Sequence, residues 1–279
     1  MRAGALVAYE AEDFVAKECT MSSTNGTSEV PVLIAGAGPA GLMTAVALAC
    51  HGVECLLVER RRDLSTLPRA TAITTRSMEL LRSWGLEEVV RAGGVDAGWL
   101  QWHCDTLARA AAGFGTATGL PTGEQSAAVS PTEPACVPQD HLEPVLLRHL
   151  RALGVGRVEF GTEVAEVDDR PDGVRVVLRD ATSAKSRVVH ARYLVAADGA
   201  HSTVRAELGI AMRGPVGLAH GVMSLFRAPL WDLVGDHRYG IYATRADEGL
   251  FLPAGRGDRW LYGAAWTRPP SGWLTSPRR

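Results

Sequence analysis

Between Val30 and Glu59 the chain follows an order of residues that admits few folds. An apolar run, Val30-Pro-Val-Leu-Ile-Ala35, turns through Gly36-Ala-Gly38-Pro-Ala-Gly41 and continues as Leu42 to Cys50. A second apolar run, Cys55-Leu-Leu-Val58, ends on an acid, Glu59. The pattern predicts strand, glycine turn, helix, strand, acid. Gly36 permits a tight turn, Gly38 lets a pyrophosphate approach the backbone, and Gly41 lets the helix pack close to the strand. With Pro39 and Ala40 at the helix start, these are the candidate phosphate-binding residues, because a helix N-terminus offers free N–H groups and partial positive charge. Glu59 lies 18 residues after Gly41, where a carboxylate accepts from a ribose 2′-hydroxyl and repels a 2′-phosphate. The adenosine expected here belongs to FAD or NAD, not NADP. The uncharged stretch Val30–Cys50 is long enough to span a bilayer, but glycines and a proline near its middle and the lack of positive charge before it argue against a span.

The net charge of −2 gives no electrostatic case for nucleic acid or an anionic membrane as partner. The five cysteines lack CxxC spacing and no signal peptide precedes them, so reduced thiols in the cytoplasm are expected. The eight histidines form no HxxH or HExxH cluster, so no metal is expected. Residues 1–28 read as a disordered extension, with Met21 the expected natural start.

After Glu59 come three arginines, of which Arg60 is the candidate cofactor contact and the others read as loop. Arg69 sits in an irregular link, free to meet an anionic ligand, before an amphipathic helix, Arg76 to Trp84, with Met78 and Leu81 on its apolar face and Gly85 as cap. Residues 103–137 read as loop and short strands. A helix is predicted over 140–153, with Asp140 as N-cap, Glu143 completing a capping box, a leucine stripe through Leu142, Leu146, Leu150 and Leu153, and Gly154 as C-cap. Gln139, just before it, is placed to project an amide. Strands follow at 158–160, 162–167 and 174–178, with an Asp172-Gly173 turn. A buried strand, Arg192 to Ala197, ends in Asp198-Gly199, where a carboxylate and an open backbone meet ligand in α/β sheets. From Arg213 short aromatic-rich strands suggest an antiparallel sheet and a second domain.

The stretches Val32–Arg60, Pro68–Leu86, Val137–Arg151 and Tyr193–Gly209, above all Asp198-Gly199…Ser202…Val204-Arg205, together resemble the FAD-dependent aromatic hydroxylases of the para-hydroxybenzoate hydroxylase type, the class A flavoprotein monooxygenases. Within them the chain is most similar to bacterial aromatic-polyketide hydroxylases. The resemblance implies an α/β fold: a Rossmann-like FAD-binding domain of the three-layer ββα type (29–90 and 136–212) and a partial mixed or antiparallel β-sheet substrate domain (91–135 and 213–279). It implies Gly36, Gly38 and Gly41 at the pyrophosphate, Glu59 and Arg60 at the AMP half, and Arg69 and Gln139 against the flavin or its phosphates. Val164 would touch adenine through its backbone, and Asp198 and Gly199 would touch FAD and the nicotinamide cofactor. The implied activity is hydroxylation of a small aromatic substrate, with NADPH or NADH as co-substrate and oxygen.

A further glycine–aspartate segment that the resemblance calls for is not found before Arg279, and strand alternation is lost after Trp266. The expectation is a chain truncated or frame-shifted near Trp266, whose partner is a second copy or a missing C-terminal fragment. Two other readings stand beside the monooxygenase: a non-catalytic FAD-binding remnant, and an NAD-dependent dehydrogenase, which leaves Asp198-Gly199 without a role. No GxSxG, P-loop or Trp-x-Trp-x-x-Pro segment supports a hydrolase, a kinase or a flavin halogenase. No acid–base residue is assigned; His141 and His201 read as structural or solvated.

Overall fold

The computed structural model describes residues 27–215 and 220–266. The expectations for the N-terminal extension, for Met21 and for the segment after Trp266 lie outside the described residues. Strand β1 (Thr27–Ala35) leads through helix α1 (Pro39–Cys50) to β2 (Cys55–Glu59), as the glycine pattern requires. Helices α2 (Thr75–Ser83) and α3 (Glu87–Arg91) follow, then β3 (Gly98–Cys104), a 3-10 turn over 107–112, β4 (Phe114–Ala117) and α4 (Gly123–Ala127). Next come α5 (Gln139–Leu153), β5 (Gly156–Phe160), β6 (Thr162–Arg170), β7 (Gly173–Asp180), β8 (Ser186–Ala196) and α6 (Thr203–Glu207). The described part ends with β9 (His220–Arg227), α7 (Trp231–Val234), β10 (Tyr239–Thr244), β11 (Gly249–Pro253) and β12 (Arg259–Trp266).

The strands form two six-stranded sheets, ordered β5-β2-β1-β8-β7-β6 and β4-β3-β10-β11-β12-β9. In the first, β5, β2, β1 and β8 run parallel, and β6, β7 and β8 form an antiparallel meander. The continuous apolar run of β1 follows from burial on both faces. Val32 and Ile34 pack in one core with Leu42 and Val46 of α1 and Leu146 of α5, while Leu33 and Ala35 join Leu56, Val176 and Val189 in the other.

The second sheet is mixed, not purely antiparallel, because β10 runs parallel to β3. Strand β3 and helix α3 escaped sequence reading, and the stretch read as loop and short strands from 103 holds the short strand β4 but also the 3-10 turn and α4. A capping box does occur, but in α4, between Thr122 and Gln125. Helix α5 instead begins at Gln139, with Pro138 at the N-cap and no side-chain cap. Its expected box is absent because both members are engaged elsewhere: Asp140 pairs with Arg259 of β12, and Glu143 turns inward to Gln139. The C-terminal expectation holds, since Gly154 adopts a left-handed φ of 68°. The strand ending at Ala196 starts earlier than expected and is not buried throughout; Tyr193 is 64% exposed.

The two sheets meet at the start of α5. Arg259 binds both oxygens of Asp140, one through Nη1 at 3.3 Å, and also donates to the Ala254 carbonyl. Gly255 lies so close to Pro138 and Gly93 that a Cβ there would sit 3.0 and 3.1 Å from them. The pair is shielded from water, so removing one partner strands the other charge. Arg259→Ala is expected to cost about 2 to 3 kcal/mol in urea unfolding; a loss below about 0.5 kcal/mol, the size of an ordinary surface substitution, would contradict this role.

Candidate cofactor site

The site lies where β1 and β8 end side by side and their connections part, the crevice in which open α/β sheets take ligands. Ala197 N–H donates to Ala35 O at 2.9 Å, and Gly36 N–H to Val58 O at 2.8 Å, so three strands converge on the glycine turn. Each glycine there has a different reason. A Cβ on Gly36, whose φ is +102°, would stand 2.4 Å from the Ala197 carbonyl oxygen. A Cβ on Gly41 would stand 1.9 Å from Gly36 O. A Cβ on Gly38 would meet nothing within 4 Å, so the space before that backbone is open. Gly38 is the N-cap of α1 and Pro39 its first residue. The first intrahelical bond is Leu42 N–H to Gly38 O, so the N–H groups of Ala40 and Gly41 have no acceptor among the described residues.

Glu59 braces this turn. Its Oε2 accepts from Ala37 N–H and its Oε1 from Arg61 N–H, each at 2.9 Å. A carboxylate has about four acceptor positions, so two bonds leave capacity for sugar hydroxyls. Of the two arginines that follow Arg60, Arg61 O accepts from Gly161 N–H, and Arg62 donates to Thr182 Oγ1 at 2.7 Å. Arg60 is exposed and lines a cleft of about 70 Å³ with Gly36, Glu59, Val164, Asp198 and His201. The β6 pairing with β7 shifts register between Val164 and Glu166, which bends the strand at this cleft.

Asp198 Oδ2 accepts from Val204 N–H at 3.1 Å at the start of α6, while Oδ1 is buried with no partner among the described residues. A buried acceptor left unpaired is costly and marks a place for a donor. Gly199 has a φ of +87° and open space around it. Ser202 caps α6 by accepting from Arg205 N–H.

Arg69 and Gln139 lie on the other side of α1. Gln139 is the first residue of α5, not a loop residue, and is 6% exposed. Its backbone N–H donates to Ala70 O at 2.9 Å, which ties the Arg69 link to the helix. With Pro39, Ala40, Met43 and Ile73 it lines a cavity of about 360 Å³. Arg69 is exposed, with its guanidinium near Glu143. Thus Gly36, Glu59, Arg60, Val164 and Asp198 come together in one cleft, and Pro39, Ala40 and Gln139 in a second space at the same helix end. Sequence reading missed Thr162, Thr203 and Glu143. The only signal for Glu143 was its spacing of one turn from Gln139, which was read as a cap. His141 is structural, with Nε2 3.0 Å from Val89 O and its ring packed against Gly93.

Among the described residues no group of three or more His, Cys, Asp or Glu is placed to hold a metal ion, and no helix is long and apolar enough to cross a membrane.

A family described as FAD binding domain matches residues 29–277, and the chain belongs to it. The tetracenomycin A2 monooxygenase-dioxygenase of Streptomyces glaucescens is 36% identical over 263 residues, covering 85% of this chain and 46% of that protein. Among solved structures, the flavin-dependent monooxygenase PieE in complex with FAD and substrate superposes with a TM-score of 0.78 at 30% identity, covering 90% of this chain and 44% of that one. A ternary complex of aklavinone-11 hydroxylase with FAD and aklavinone gives a TM-score of 0.72 at 34% identity, covering 86% of this chain and 46% of that one. The chain spans about half the length, or less, of the curated relatives it matches.

The residues fit the cofactor of that family: an orphaned carboxylate oxygen, an open backbone at Gly38 and unpaired N–H groups at a helix start face one region. Gly38→Ala should fold with an unchanged melting temperature yet bind FAD at least about tenfold more weakly, by flavin fluorescence titration. Gly41→Ala should lower the melting temperature by several degrees, since backbone must move. Equal effects of the two on folding would contradict the division of roles.

Proposed function

We propose that the chain holds FAD and takes part in hydroxylating an aromatic, polyketide-like substrate with NADPH or NADH and oxygen. The observation that carries this reading is the convergence of Gly36, Glu59, Arg60, Val164 and the unpaired Asp198 Oδ1 on one cleft beside the open Gly38 backbone. FAD, when bound, supplies the hydride and oxygen chemistry.

The protein's part is to bind and orient. Gly38, Pro39, Ala40 and Gly41 set helix N–H groups on the pyrophosphate, with Gly36 making the turn that aims them. Glu59 accepts from the ribose hydroxyls and Arg60 offers an unpaired cation to the AMP half. The Val164 backbone borders the adenine. Asp198 Oδ1 accepts a hydroxyl hydrogen, and Gly199 leaves its backbone open to the cofactors. Arg69 and Gln139 meet the flavin half. In this reading residues 29–90 and 136–212 form the cofactor-holding unit, and 91–135 with 213–279 the incomplete substrate-holding unit. Names of relatives support an aromatic substrate: 4-methyl-5-nitrocatechol 5-monooxygenase of Burkholderia is 38% identical over 216 residues. The four described cysteines are free thiols, which fits a reducing, cytoplasmic location.

A second reading is FAD held without turnover. A homodimer, or a separate chain carrying the other half, would complete the first reading. Purified chain mixed with FAD and then NADPH under air separates them. Bound flavin whose 450 nm band bleaches and recovers is the expected result for the monooxygenase; bound flavin that never bleaches supports the second reading, and no bound flavin in folded protein overturns both.

A further inference from the structure

Glu143 is the most deeply buried carboxylate side chain among the described residues, at 1% exposure, and no ion pair is formed by it. Its Oε1 accepts from Gln139 Nε2 at 2.6 Å, one helical turn back. Burial raises its carboxyl above the usual value, opposed by the Gln139 amide, the Arg69 guanidinium and the Ser65 backbone amide, and reinforced by Glu59. This one side chain therefore faces both residues placed on the flavin side, and the link that carries Arg69.

The Gln139 amide nitrogen donates to Glu143 Oε1, so the Gln139 carbonyl oxygen is the end left over. That oxygen takes no donor among the described residues, and Gln139 lines the cavity of about 360 Å³ whose walls include Met43, Ile73 and Leu80. The Gln139 oxygen, an acceptor, does not suit a phosphate, which needs donors; apart from the Ala40 backbone and the Thr74 and Ser77 hydroxyls, the walls around it are apolar. The cavity suits a flat, largely apolar ring or its sugar-alcohol chain, which carry N–H and O–H donors.

We propose that Glu143 is a positioning residue that locks the Gln139 amide with its oxygen toward the cavity, so that Gln139 accepts from a donor on the flavin half of FAD and not from the pyrophosphate. This rests on the FAD reading above and narrows where Gln139 acts within it. In Glu143→Gln the partner both donates and accepts, the Gln139 amide is no longer locked, and its oxygen is presented only part of the time.

The test compares FAD with ADP, which lacks the flavin half, by isothermal titration on wild type, Glu143→Gln, Gln139→Ala and the double variant, each with its melting temperature. Glu143→Gln and Gln139→Ala should each weaken FAD about five- to tenfold, the worth of one net hydrogen bond. The double variant should be no weaker than Gln139→Ala, because Glu143 acts only through that amide, and ADP affinity should stay within about twofold throughout. Equal weakening of ADP and FAD, multiplying effects in the double variant, or unchanged FAD affinity in Glu143→Gln would each overturn the proposal while leaving FAD binding intact. Wild type that binds ADP and not FAD overturns it as well. Wild type that binds neither overturns the FAD reading itself, and the role of Glu143 with it.

Discussion

Everything at the ligand-facing end of the first sheet depends on how closely three backbones approach one another. The carbonyl of Gly36 stands where a Gly41 side chain would be, and the carbonyl of Ala197 where a Gly36 side chain would be. Those two contacts fix the angle at which α1 leaves β1 and the distance from β1 to the end of β8. The Glu59 carboxylate completes the bracket by taking Ala37 N–H from the neighbouring strand end. The open helix start and the unpaired Asp198 oxygen face the same region because of this closeness, although 160 residues separate Gly38 from Asp198.

The first motif was legible in the sequence because its constraints are local. A strand buried on both faces reads as an apolar run, a turn needing positive φ reads as glycine, and an acid, Glu59, ends the next strand. Asp198-Gly199 was legible for the same reason, as a polar break at the end of an apolar strand. The cleft itself was not: nothing local says that Val164 on β6 lies against Arg60 beyond β2. The family resemblance supplied that juxtaposition.

The errors have the same physical origin. Asp140 and Glu143 carry the letters of a capping box, but long-range partners compete for both, Arg259 from β12 for one and the interior beneath Gln139 for the other. The segment from 98 to 127 lacks strong periodicity, since β3 and β4 are short and α4 is barely more than one turn. Tyr193 was assigned to the interior because a central strand usually has both faces covered, yet its side chain is exposed.

The contact of the β11–β12 hairpin with the first turn of α5 has an evolutionary consequence. Arg259 grips the residue next to Gln139, and Gly255 rests on the proline before it. The second sheet is thus mechanically geared, through this hairpin, to the helix start whose Gln139 lines the cavity. Lineages that reshape this sheet must either keep the hairpin as a fixed pivot or shift that helix start together with it.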